Sequence, residues 1–325
     1  MPFPVRLRLF GLSILACLAF AGSIFASASA AGDEAVTLAA PPGILQGTLT
    51  LPAGAGPFPV VMILAGSGPT DRDGNSPAGA RTDAYKQLAA ALAAKGIATL
   101  RYDKRGSAGS ALAIGKESDL RFGTYVDDAV AWIGQLRADK RFNRFFIVGH
   151  SEGSLIGILA AEHTKLDGYV SLDGAGRPAP ALLHEQLAKN APNYVAQSDA
   201  IAAQLQRGQS VDDVPAELMA LYRPSVQPYL MSWFPIDPAV EIAKLKIPVT
   251  IVQGDADIQV PVSDAKLLAA ADPTAKLVIV PGMSHVLKHV GGTEMTQQMP
   301  AYQDPSLPID PAVVQAIVDL VARAT

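Results

Sequence analysis

The chain has 325 residues, a formal net charge of −4, 49% hydrophobic and 17% charged residues, and a single cysteine. A mildly acidic balance without a run of basic residues excludes nucleic-acid binding by phosphate neutralisation. One cysteine excludes a disulfide framework.

The first thirty residues read as a signal peptide. Arg6 and Arg8 make a basic start, Leu9 to Phe25 is almost entirely apolar, and Ala28-Ser29-Ala30 gives a small-x-small cleavage pattern. Cleavage after Ala30 removes Cys17 and both arginines and leaves about 295 residues, enough for one large domain with an elaboration. The expected location is therefore outside the cytoplasm, periplasmic or secreted. Nothing after residue 30 is long and apolar enough to span a bilayer, so no stable membrane insertion is expected after cleavage.

Two β-like stretches between Val36 and Leu51 flank Pro41-Pro42-Gly43, the pattern of an opening hairpin. Strand and helix then alternate. Val60 to Leu64 predicts a strand, Asp83 to Lys95 a helix, Ile97 to Tyr102 a strand and Tyr125 to Leu136 a helix. Phe145 to Val148 predicts a buried strand, Ser154 to Ala160 a helix, and Tyr169 to Leu172 a further strand. The alternation stops at Arg177. Up to Ile247 the chain offers only helical pieces broken by Pro192, Pro215, Pro224, Pro228 and Pro235. It resumes with a strand at Val249 to Val252, a helix at Ser263 to Ala271, a strand at Leu277 to Val280 and a last helix at Pro311 to Ala322. This predicts an α/β fold with a mostly parallel central sheet and helices on both faces. Residues 31–176 and 248–325 form the sheet domain in this reading, and 177–247 an inserted helical lid.

Gly149-His150-Ser151-Glu152-Gly153 is a G-x-S-x-G sequence set between a predicted strand and a predicted helix. That context makes it a nucleophile elbow, with the Ser151 hydroxyl held above the C-terminal edge of the sheet. A serine hydroxyl needs a base within reach and a third group to orient the base. His285, in Pro281-Gly282-Met283-Ser284-His285, follows a strand and so leaves the same sheet edge as the elbow. It is the expected base. His150 should point away from Ser151 toward the sheet flank, His163 ends the elbow helix, and His184 lies in the lid. His285 and His289 are four apart, but no H-E-x-x-H glutamate or third ligand accompanies them, so no metal is expected. The orienting carboxylate should lie in Gly254-Asp255-Ala256-Asp257-Ile258-Gln259-Val260-Pro261. Asp257 is the expected acid, with Asp255 read as a turn residue whose carboxylate accepts backbone N–H bonds.

The oxyanion hole is expected from the backbone N–H of Glu152 and that of Ser67, in the glycine-rich loop after Leu64. Asp71, Arg72 and Asp73 are read as an ion-pair network fixing that loop, and Arg101 to Gly106 as a structural turn. Apolar lid residues, with Met231, Trp233 and Phe234 foremost, are expected to line an acyl pocket above Ser151.

The segment Gly66 to Gly74, the turn Arg101 to Gly106, the GHSEG elbow, Gly254 to Pro261, Pro281 to His285 and the lid end Ser232 to Pro238 occur together in one family. In their order and spacing the chain resembles the bacterial α/β-hydrolase serine carboxylesterases of the EstD-like and serine-aminopeptidase-like group, over residues 36 to 323. It departs from the common His-Gly pattern of the oxyanion loop by carrying Ala65. The resemblance implies an α/β-hydrolase fold, hydrolysis of small-molecule carboxylic esters through an acyl-enzyme on Ser151, and no cofactor. A peptidase or amidase of the same fold would use the same three residues. A non-catalytic binding protein on this scaffold would not need them.

Overall fold

The computed structural model describes residues 32–324. The predicted signal peptide, residues 1–30, lies outside the described residues. The chain runs β1 (Gly32–Ala40), β2 (Gly43–Leu51), β3 (Phe58–Leu64), α1 (Ala84–Ala93), β4 (Ala98–Tyr102), α2 (Phe122–Ala138), β5 (Phe142–His150), α3 (Glu152–His163) and β6 (Gly168–Leu172). Five helices follow before the next strand: α4 (Ala179–Asn190), α5 (Val195–Gln206), α6 (Met219–Tyr222), α7 (Gln227–Trp233) and α8 (Pro238–Ile242). The sheet then resumes with β7 (Val249–Gly254), α9 (Val262–Ala271) and β8 (Lys276–Val280), and α10 (Met295–Gln303) and α11 (Pro311–Arg323) close the chain.

Among the described residues the strands form one eight-stranded sheet in the order β1-β2-β4-β3-β5-β6-β7-β8. The β1/β2 hairpin and the β2/β4 pair are antiparallel, and every other pair is parallel. This is the α/β-hydrolase fold. The central strands are apolar at nearly every position because both faces are covered. In β5, Phe145 and Ile147 point into the core on one side of the sheet, and Phe146 and Val148 into the core on the other. α1 and α11 cover the second face, while α2, α3 and α9 cover the first. Ile147 is fully buried, so truncation to alanine there would cost about 2–5 kcal/mol.

Three of the five helices between β6 and β7 (α6, α7 and α8) have seven residues or fewer, and α4, α7 and α8 carry proline in their first turn. Pro228 sits in the first turn of α7, where a missing N–H costs nothing, and Pro192 opens a 3₁₀ turn in the same way. Tertiary contacts hold the insert. Tyr222 Oη and Ser198 Oγ share a hydrogen bond of 2.7 Å, and Gln227 Nε2 donates to the carbonyls of Val211 and Tyr222. Trp233 stacks on Phe122 of α2, with centroids 5.6 Å apart and planes 14° from parallel. Helix α10 has no counterpart in the sequence pattern, because Pro300 lies inside it and masks it as loop. Among the described residues no helix is long and apolar enough to cross a membrane.

Candidate active site

Strand β5 ends at His150 and helix α3 begins at Glu152, so Ser151 makes the whole turn, at φ 55° and ψ −123°. That backbone is strained for a residue with a side chain, and strain here is the usual companion of function. The flanking glycines permit it. A Cβ on Gly149 would stand 2.2 Å from the carbonyl oxygen of Gly153, and one on Gly153 would stand 2.5 Å from that of Leu64. Ser151 N donates to the carbonyl of Leu172 at 2.9 Å, which ties the elbow to the end of β6.

His285 and Asp257 meet across the loops that follow β8 and β7. Nδ1 of His285 donates to Oδ2 of Asp257 at 2.7 Å, and both residues are buried. The carboxylate is fixed from its other side. Asp257 Oδ1 accepts from the backbone N–H groups of Gln259 (2.7 Å) and Val260 (3.0 Å), and Oδ2 accepts a further, longer bond from Gln253 Nε2 at 3.2 Å. With its Nδ1 proton engaged, the imidazole keeps Nε2 as its basic nitrogen. Asp255 is exposed, and its Oδ1 accepts from Gly282 N at 2.6 Å, so it braces the turn and does not meet His285. Ser151 Oγ and the His285 ring share no direct hydrogen bond among the described residues.

A second buried chain of hydrogen bonds stands behind these groups. Gly66 N donates to Tyr85 Oη (3.3 Å), Tyr85 Oη bonds His150 Nδ1 (2.7 Å), and His150 Nε2 donates to the carbonyl of His285 (2.8 Å). Since the His285 carbonyl can only accept, His150 carries its proton on Nε2 and takes the tyrosine proton on Nδ1. Burial, reinforced by the nearby His285, pulls the His150 pKa down to about 3, so the ring is neutral. His150 thus reaches the His285 loop, which the sequence pattern does not reveal. Ligand atoms of His150, Asp173 and His285 lie within 4.8 Å of one another. Both nitrogens of His150 are already engaged, which leaves it no lone pair for a metal ion.

On the opposite side of the elbow, Lys104 Nζ donates to the carbonyl of Gly66 (2.6 Å) and to Glu152 Oε2 (2.7 Å). Tyr229 of α7 donates its hydroxyl to Glu152 Oε1 at 2.5 Å. Lys104, Glu152 and Tyr229 are all buried. The turn from Arg101 to Gly106 thus carries a bracing residue: the Lys104 amine clasps both segments expected to supply the oxyanion hole. The loop beyond is fixed as expected: Arg72 pairs with Asp103, Arg101 pairs with Asp73, and Asp71 Oδ1 accepts from Asp73 N and Asn75 N.

Ser151 opens on a cavity of about 110 Å³ that also includes Ser67 and Glu152 in its lining. Leu155, Leu182, Leu183, Trp233, Pro238 and Val260 make it mainly apolar, with Arg177, Gln186 and Gln259 also lining it. The placement of Trp233 follows the expectation, but that of Met231 and Phe234 does not. Phe234 is fully buried in the core, and Met231 packs against the same core. Helix periodicity in so short a segment cannot say which face looks into a cavity and which onto the sheet. Of the other histidines, His163 is exposed at the end of α3, His184 pairs with Asp199 within the insert, and His289 is exposed beside Gly282.

The elbow, its carboxylate-supported histidine and the eight-stranded sheet are the arrangement of the α/β-hydrolase class. The chain belongs to the Hydrolase_4 family (serine aminopeptidase, S33), whose model matches residues 78–289. It is 28% identical over 256 residues to the esterase EstD of Thermotoga maritima, a match covering 75% of this chain and 58% of that protein. The chain thus spans somewhat more than half the length of this curated relative. Solved structures with a similar fold include Est1E of Butyrivibrio proteoclasticus bound to ferulic acid, with TM-score 0.59, 18% identity and coverage of 88% of this chain and 99% of that one. Another is the proline iminopeptidase of Mycobacterium smegmatis, with TM-score 0.58, 15% identity and coverage of 90% and 100%.

Proposed function

We propose that the protein is a serine carboxylesterase acting on small esters with short to medium acyl chains. The observation that carries the proposal is the elbow residue Ser151 opening on a small, mainly apolar cavity, with a buried Asp257–His285 pair on loops that leave the same edge of the sheet. In this reading His285 Nε2 takes the Ser151 proton as Oγ attacks the ester carbonyl, and the N–H groups of Glu152 and Ser67 hold the oxyanion. The imidazolium, stabilised by Asp257, returns its proton to the leaving alcohol. Water activated by the same histidine then releases the acid from Ser151.

The cavity wall favours ester over aminopeptide. An aminopeptidase needs a free carboxylate to hold the substrate's ammonium group. The one carboxylate lining this cavity is Glu152, which Lys104 neutralises and Tyr229 caps. Acidic residues of the insert turn elsewhere: Glu185 pairs with Arg177 and Lys189, Asp199 with His184, and Asp212, Asp213 and Glu217 are exposed. Assays of 4-nitrophenyl esters from acetate to palmitate against aminoacyl-4-nitroanilides test this directly. Faster turnover of the anilides would reject the ester reading.

We also propose export with removal of residues 1–30, on the strength of the basic, apolar and small-residue succession there. The intact mass of protein recovered outside the cytoplasm tests it. A mass that includes the leader would reject cleavage.

A further inference from the structure

A carboxyl group lies beside the reacting residues with no part in the mechanism above. Asp173 follows β6, is fully buried, and adopts φ 48°, a left-handed backbone that Asp tolerates better than most residues. Its position is tightly determined. Asp173 N donates to the carbonyl of Val252 at 2.9 Å, Oδ1 accepts from Gly254 N at 2.8 Å, and the preceding carbonyl, that of Leu172, holds Ser151 N. Oδ2 has no hydrogen-bond partner. A buried, unpartnered carboxyl oxygen carries a desolvation penalty, and a fold retains one only where something offsets it. One ring nitrogen of His285 and one carboxylate oxygen of Asp173 lie within 4.8 Å of each other. A closing movement of no more than about 2 Å would bring them into hydrogen-bond contact.

We propose, building on the Ser151–His285–Asp257 reading, that Asp173 is a reserve positioning residue for His285, able to orient the imidazole and stabilise its protonated form when Asp257 cannot. The electrostatics supply the switch. Burial raises the Asp173 pKa well above the usual carboxylate range, the charge on Asp257 raises it further, and the Gly254 N–H bond only partly opposes both. Removing the Asp257 charge lowers the cost of ionising Asp173, so a negative charge reappears beside His285 from a second direction. The other titratable groups facing this carboxyl are His150 at the end of β5, Tyr85 of α1 and Tyr302 of α10. All three are neutral at the pH of the assay, because burial lowers the His150 pKa and raises those of both tyrosines.

The test is a double-mutant cycle on ester turnover in the full chain. Asp257→Asn is expected to lower kcat by ~10–100-fold, Asp173→Asn alone by ~3-fold, and the pair by at least ~10-fold more than Asp257→Asn. In Asp257→Asn the acidic limb of the pH profile should move to higher pH, since Asp173 must now lose its proton, and the double variant should lose that displacement. A purely structural role for Asp173 predicts the same factor in both backgrounds and an unmoved limb, and either result overturns the proposal. Asp173→Gly, which suits the positive φ, repeats the cycle if the asparagine variant folds poorly. Ser151→Ala serves as control. Turnover surviving that change would reject the esterase site itself, an outcome distinct from failure of the Asp173 proposal.

Discussion

His150 donates its Nε2 proton to the main-chain oxygen of His285 across 2.8 Å, so the residue before Ser151 anchors the backbone of His285. Through Tyr85 the same chain of bonds continues to Gly66, in the loop expected to bind the oxyanion. Ser151, His285 and the Gly66 loop follow three different strand ends. This internal strut ties them together without using the side chain of Ser151, His285 or Asp257.

The first expectation concerns the reacting groups. Ser151→Ala and His285→Ala should each lower kcat by at least ~10³-fold while leaving the denaturation midpoint close to wild type, because neither side chain holds the sheet together. Retention of more than a tenth of wild-type turnover in either would remove that residue from the mechanism.

The neutral His150 makes stability depend on pH. Its folded-state pKa of about 3 lies below the ordinary histidine value, so its contribution is complete above pH ~6.5 and is lost as the pH falls toward 3. The slope approaches ~1.4 kcal/mol per pH unit within that window. Asp173, with its raised pKa, acts in the opposite sense, adding stability at low pH that is lost as pH rises. Urea titrations from pH 4 to pH 8 on wild type and His150→Gln isolate the histidine. The variant should lose less stability on acidification, and identical slopes would mean that His150 is charged in the folded protein.

The buried Lys104–Glu152 pair predicts an asymmetric pattern of damage. Lys104→Met strands an ionised Glu152 and should cost about 3–5 kcal/mol. Tyr229→Phe removes only one donor from that carboxylate and should cost about 1–3 kcal/mol. Combining Lys104→Met with Glu152→Gln should recover much of the first loss, since no charge is then buried alone. Thermal denaturation of the four proteins decides this. A double variant no more stable than Lys104→Met would mean that the amine acts mainly through its bond to the Gly66 carbonyl.

A small cavity under a fastened insert limits acyl length. Turnover should peak on short to medium acyl chains and fall steeply for long-chain triglycerides, without a rise in rate at an oil–water interface. Long-chain emulsions proving the best substrates would show that the insert swings open.

The sheet, the elbow and the Asp257–His285 pairing were legible because each rests on a local rule. Continuous apolar runs such as Phe145 to Val148 mark strands buried on two faces. The glycines around Ser151 mark a turn that few other sequences tolerate, and His285 and Asp257 follow from the shared edge of parallel strands. The supporting layer was not legible. Lys104, Tyr85 and Asp173 look ordinary in sequence, and only the packing of distant strand ends shows that they are buried against the site. Met231 and Phe234 failed for a related reason: apolar character predicts burial, and Phe234 is buried and Met231 partly so, but it does not name the surface they meet. Helix α10 was hidden by Pro300, which lies inside it against ordinary helix propensity.

The bond from Tyr229 to Glu152 makes the insert and the catalytic turn one inheritable unit. Exchanging residues 177–247 for the corresponding segment of a relative without this tyrosine would leave a buried carboxylate short of a donor at the position whose N–H is proposed to hold the oxyanion. A chimera that altered specificity would then also weaken the chemistry. Substrate range in this protein is therefore more readily retuned one side chain at a time, at Leu182, Leu183 or Trp233, than by transplanting the whole cover.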